Sequence, residues 1–151
     1  MEKVFERRSV IPTTVEHMWA FHEDKRALAR LTPPPLWVRR VRDEMRSLTD
    51  GELEFQLWLG PLPVRWVARH EPGPLDTSFA DRMLAGPLAS WRHEHIFRAV
   101  PGGVELTDRV TYAHKPGLAG LWTRLLFDGL PLKFLFFYRH LRTRLALGGK
   151  R

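Results

Sequence analysis

The sequence predicts an α+β domain in which a seven-stranded antiparallel sheet packs on a long, kinked C-terminal helix, with two short helices near the start. Three observations predict it. Turn signals divide Leu36 to Ala113 into six segments at hairpin spacing. Within those segments apolar and charged residues alternate, so that one sheet face is apolar and the other is charge-paired. After them, Leu118 to Leu147 changes to helical spacing.

Lys3 to Ile11 reads as the first strand, closed by Pro12. Thr13-Thr14-Val15-Glu16 then supplies a capping box, with Glu16 three residues after Thr13. A short helix through Trp19 and Phe21 follows. A second, from Lys25 to Leu31, must stop at Thr32-Pro33-Pro34-Pro35, because proline cannot extend it and restricts the residue before it. That segment is expected to be a rigid loop near any cavity mouth.

Directly opposed residues share a face, so charge tests the hairpin registers. Folding at Pro61-Leu62 sets Leu57 opposite Trp66, Phe55 opposite Ala68 and Glu54 opposite Arg69. Folding at Pro101-Gly102 sets Phe97 opposite Leu106, with Glu94–Arg109 and Arg98–Glu105 as outer charge pairs. Trp58 and Arg40 are expected to meet on the outer face as a cation–π pair. In the last segment Leu121, Trp122, Leu125, Leu126, Leu130, Phe134, Leu135, Phe137, Leu141 and Leu145 form a broad apolar face for the sheet. Gly129 and Pro131 call for a kink or break near its middle.

Length and composition narrow the function. The chain has 151 residues, enough for one domain, and 44% of them are apolar or aromatic, a globular composition. No cysteine is present, which removes disulfides, thiolate nucleophiles and Cys-ligated metals. No long apolar stretch follows the first basic residues, so the expectation is a soluble cytoplasmic protein. The formal net charge is +7, but the first 75 residues carry 12 basic and 11 acidic side chains, and the remaining 76 carry 12 and 6. Much of the excess lies in Arg139, Arg142, Arg144, Lys150 and Arg151 at the end of the last helix. Cations there complement the helix dipole, so no nucleic-acid partner is expected. The apolar face with its basic end also fits a weak peripheral membrane contact.

Strand parity brings polar residues together. Trp91, His93, His95 and Phe97 share one face, and Phe79, Asp81 and Met83 share a face of the preceding strand. The last hairpin sets Asp108 opposite His95, Val110 opposite His93 and Tyr112 opposite Trp91. The turn at Gly86-Pro87 puts Asp81 beside His93 or His95, and the second choice, which pairs Arg82 with Glu94 outside, is favoured. Three readings stay open for the cluster of Asp81, His93, His95 and Asp108. It satisfies buried polar groups; it orients a ligand's head in an apolar cavity; or it does chemistry, by His–Asp acid/base catalysis or by a His-x-His metal site.

The stretches Phe21-His22-Glu23-Asp24-Lys25-Arg26 through Thr32-Pro33-Pro34, Phe79-x-Asp81-Arg82-Met83 through Trp91-x-His93-x-His95-x-Phe97, and Leu106-Thr107-Asp108-Arg109-Val110-x-Tyr112 resemble the START and plant-allergen-like superfamily (SRPBCC). Within it they are similar to a bacterial subgroup that resembles the START-like domain fused to sugar-nucleotide-epimerase-like proteins. The resemblance implies a helix-grip fold, with a curved sheet around the long helix and a cavity for an apolar ligand between them. It implies no cofactor or metal, and the fused relatives suggest an epimerase-like partner. The expected ligand is a lipid, isoprenoid or polyketide-like compound. Phe55, Leu57, Trp66, Phe79, Trp91, Phe97 and Tyr112 would form the walls, and Asp81, His93, His95 and Asp108 the polar end. The rival is a cyclase, dehydratase or hydrolase using the same His–Asp pairs.

Overall fold

The computed structural model describes residues 1–149; the basic tail expected at Lys150 and Arg151 lies outside them. Strand β1 (Lys3–Ile11) leads into α1 (Val15–Glu23) and α2 (Ala27–Arg30). Strands β2 (Trp37–Ser47), β3 (Asp50–Leu59), β4 (Leu62–Pro72), β5 (Ser78–Ala85), β6 (Ser90–Val100) and β7 (Gly103–Ala113) follow as a meander. Helices α3 (Leu118–Leu126) and α4 (Gly129–Leu147) end the fold. The sheet order is β1-β7-β6-β5-β4-β3-β2, antiparallel throughout, so the first strand closes beside the last. Register shifts at Val41 of β2, between Arg40 and Arg42, and at Leu84 of β5, opposite the Val67–Ala68 step of β4, are bulges that add twist and bend the sheet.

The β6–β7 hairpin has the expected register, with His95 opposite Asp108, Trp91 opposite Tyr112 and Glu94 opposite Arg109. Glu94 and Arg109 form an ion pair at 3.2 Å. Two other registers need correction. In β3–β4, Phe55 faces Trp66 and Leu57 faces Val64, a shift of two residues from the pairing that charge suggested. Gly60, at φ +63°, and Pro61 form a two-residue loop, with glycine at the first loop position as such turns favour. Glu54 consequently pairs with Arg65 at 3.1 Å, and Arg69 with Asp50 at 2.9 Å. In β5–β6, Asp81 faces His93 and Arg82 faces Arg92. That register lets Leu88 in the connecting loop reach the core, where it is 2% exposed. Burying a leucine contributes about 1.5–3 kcal/mol, whereas an exposed ion pair contributes about 0–1 kcal/mol.

Three local expectations also change. The cap of α1 is Thr14, whose hydroxyl accepts from the His17 amide at 3.2 Å; the Thr13 hydroxyl is buried without a partner. Trp58 stacks on Trp37 at 5.0 Å across β2–β3, while Arg40 points to the opposite face and binds Asp43 at 2.8 Å. The C-terminal segment is broken rather than bent: Asp128 caps α4 through the Gly129 amide, and Gly129 takes φ +55°. The side of α4 that packs on the sheet holds Leu132, Phe136, His140, Thr143 and Leu147. The leucines and phenylalanines expected to cover the sheet are largely exposed.

Two apolar clusters result. Phe55, Trp66, Leu88, Trp91, Leu132 and Phe136 belong to one, under α4. Ile11, Met18, Phe79, Phe97 and Leu106 belong to the other, under α1.

Candidate functional site

Between the sheet and the helices lies a cavity of about 450 Å³. Phe55, Leu57, Trp66, Phe79, Asp81, Trp91, His93 and His95 all line it. Phe97, Asp108 and Tyr112 do not. Phe97 is fully buried against Trp19 and His22 in the second cluster. Tyr112 donates its hydroxyl to Asp128 at 2.9 Å, at the break before α4. Asp108 stands behind the imidazoles, out of the cavity.

The polar end is built in two layers. Asp108 accepts from His93 Nε2 at 2.6 Å and from His140 Nε2 at 2.8 Å, so both carboxylate oxygens are used. A neutral His140 that donates through Nε2 must accept at Nδ1, and the Ser9 hydroxyl donates there at 2.6 Å. One chain of hydrogen bonds thus joins β1, α4, β7 and β6. Nearer the cavity, His95 Nε2 donates to Asp81 Oδ2 at 2.8 Å, and the two imidazoles of β6 stack at 3.7 Å. Phe79 stacks on the other side of His95 at 4.2 Å, fixing its ring.

Burial would raise both carboxyls. At Asp108 the hydrogen bonds from His140 and His93 outweigh it, and at Asp81 the bond from His95 with the nearby imidazoles does the same. Both are held well below the usual carboxylate range. Burial pushes His95 down to about 3 and His22, whose Nδ1 donates to the Met18 carbonyl, down to about 4. A base so weak as His95 is ill matched to general acid/base work near neutrality. Ligand-capable atoms of Asp81, His93 and His95 lie within 4.8 Å of one another, so these are the residues that could hold a cation.

No protein-family model and no curated protein matches the sequence. Solved structures do match by shape. Protein CV1439 from Chromobacterium violaceum aligns with TM-score 0.71 at 9% identity, over 96% of this chain and 97% of its own. The ZhuI aromatase/cyclase from Streptomyces sp. R1128 aligns with TM-score 0.66 at 13% identity, over 97% of this chain and 91% of its own. Ginseng major latex-like protein 151 from Panax ginseng aligns with TM-score 0.67 at 7% identity, over 97% of each chain. The chain has the helix-grip fold.

In this helix-grip fold the gripped helix supplies site residues that strand parity could not find. Arg139 and Phe136 of α4 line the cavity, with His22 of α1 and His70 of β4. The Arg139 guanidinium lies over the Phe136 ring at 5.7 Å. Its Nε is buried without a hydrogen-bond partner, and among the described residues the side chain makes no ion pair. Burial lowers its pKa, against the pull of Asp108 and Asp81. The helical spacing of Phe136, Arg139 and His140 was visible in the sequence, but not which face of α4 the sheet would take. Thr32 and Pro33 line the cavity, as a loop near its mouth would; the Pro34–Pro35 bond is cis.

Proposed function

We propose that the protein binds a hydrophobic or amphipathic small molecule, of lipid, isoprenoid or polyketide-like chemistry, between its sheet and α4. The cavity supports this reading: apolar walls surround about 450 Å³, and polar groups converge on one part of it. Removing ligand surface from water contributes about 25 cal/mol per Å² of apolar area.

Arg139 sets the expected orientation. A buried donor without an acceptor costs about 1–3 kcal/mol, which a ligand oxygen placed against the guanidinium would relieve. Asp81 and Asp108 already put negative charge beside it, so a neutral carbonyl suits this end better than a carboxylate.

The test is displacement of a fluorescent apolar probe by long-chain alkanes and by the matching methyl ketones. Ketones are expected to compete better than alkanes, and Arg139→Met, which keeps an apolar stem, to erase the difference. Failure of every lipid, isoprenoid and ketone to bind would sink the reading itself. Equal competition by alkane and ketone would remove the role given to Arg139 and leave the cavity's.

A further inference from the structure

The outward side of the C-terminal helices is as apolar as the side that packs on the sheet. On α4, Leu132, Phe136, His140, Thr143 and Leu147 recur at helical spacing and are buried. Leu130, Phe134, Phe137, Leu141 and Leu145 recur at the same spacing and are exposed, Leu130 by 78% and Leu145 by 73%. The second stripe is offset by about two residues, roughly 200° of rotation, so it points away from the protein. Helix α3 adds Leu118, Leu121 and Leu125, exposed by 83%, 55% and 73%. Scattered exposed leucines need no explanation, but a continuous stripe does.

Charge identifies what covers it. Lys133 and Arg144 flank the α4 stripe on one side and Arg142 on the other, by helical rotation. All three are exposed, as is Arg124 of α3, and none forms an ion pair among the described residues. From Leu118 to Leu147 the single acidic residue is Asp128, which is already bound to Lys3 and Tyr112. A second copy packed through the same stripe about a two-fold axis would bring these cations toward their own images. Lipid phosphates would receive them, with the apolar side chains beneath the headgroups and the basic ones reaching back to the surface. No helix among the described residues is long and apolar enough to cross a membrane, so the contact is parallel to the surface.

We propose that the outer face of α4, extended by α3, docks on an anionic lipid bilayer. The inference is independent of what the cavity holds.

Co-sedimentation with unilamellar vesicles tests it, using phosphatidylcholine with and without phosphatidylglycerol. The protein should sediment with the anionic vesicles and be released by high salt. Each basic side chain at the surface is worth about fivefold in partitioning, so Lys133→Glu with Arg142→Glu should weaken binding by well over tenfold. Leu130→Gln with Phe134→Gln should abolish it while the circular dichroism spectrum and Tm stay unchanged, because both positions are exposed. Sedimentation with neither vesicle would overturn the proposal. So would a concentration-dependent dimer, seen by analytical ultracentrifugation, that the same double variant dissolves and vesicles do not compete with.

Discussion

Asp81 and Asp108 address the same two imidazoles from opposite sides, and their surroundings give them different roles. Asp108 has both oxygens occupied by imidazole N–H groups and stands away from the cavity. In Asp108→Asn one oxygen becomes an amide donor aimed at an imidazole donor. The variant should lose about 1–3 kcal/mol in urea unfolding, the cost of leaving a buried polar group unpaired. Asp81 lines the cavity and takes one hydrogen bond, from His95. Asn at that position keeps an acceptor for His95 though not the charge, so Asp81→Asn should cost less than Asp108→Asn and also change probe affinity. Equal destabilisation by the two would mean that the whole cluster is structural, with no part reserved for ligand. Parity along β6 and the β6–β7 register made His93, His95 and Asp108 legible as neighbours. His140 and Ser9 were not legible, because the rotation and height of a helix on a sheet depend on packing rather than on any local rule.

The elements themselves follow their local signals closely, and the two registers that differ from expectation share one cause. Exposed charge pairs are too weak to choose between β3–β4 or β5–β6 registers two residues apart. Such a slip keeps every side chain on its face, so the apolar pattern cannot detect it. The glycine loop at Gly60 and the burial of Leu88 decided the outcome, since each outweighs a surface ion pair. The same competition decides the cap of α1. Two threonines stand side by side, and the chain's exit from β1 leaves the Thr14 oxygen facing the helix amides while burying that of Thr13. Thr14→Ala should therefore destabilise by about 1 kcal/mol, the usual cost of a lost cap. Thr13→Val replaces an unpaired buried hydroxyl by a methyl of similar shape, and should be neutral or stabilising. Thermal unfolding of the two variants checks this, and the opposite order would return the cap to Thr13. In α4 the apolar face expected from the sequence leaves out Leu132, Phe136 and Leu147, which the fold buries, because a helix apolar on both sides has no unique inner face. The sheet took the stripe that includes His140, which Asp108 and Ser9 can satisfy.

For the whole molecule, the net charge of +7 matters less than where protons are refused. His22 and His95 are neutral in the fold, held by burial to about 4 and about 3 from an ordinary 6.5. Once the pH drops below 6.5 the unfolded chain takes up protons that the folded chain does not, so stability falls as the solution is acidified. Before it titrates in the fold, His22 can remove roughly 3 kcal/mol and His95 roughly 5. Asp81 and Asp108 act in the next window down. Their folded values are depressed, so the stability they supply is complete above the unfolded carboxylate value, about 4, and is lost as the pH falls further. The two windows overlap and have the same sign, so acid should unfold the protein without a plateau. Urea midpoints should hold above about pH 7 and decline steadily from about pH 6.5 to about pH 4.5. His22→Phe, placed against Phe97, should flatten the upper part of that decline. A midpoint that holds constant down to about pH 5 would mean that these imidazoles accept protons in the folded protein, and that the cavity's polar end is wetter or more negative than its hydrogen bonds imply.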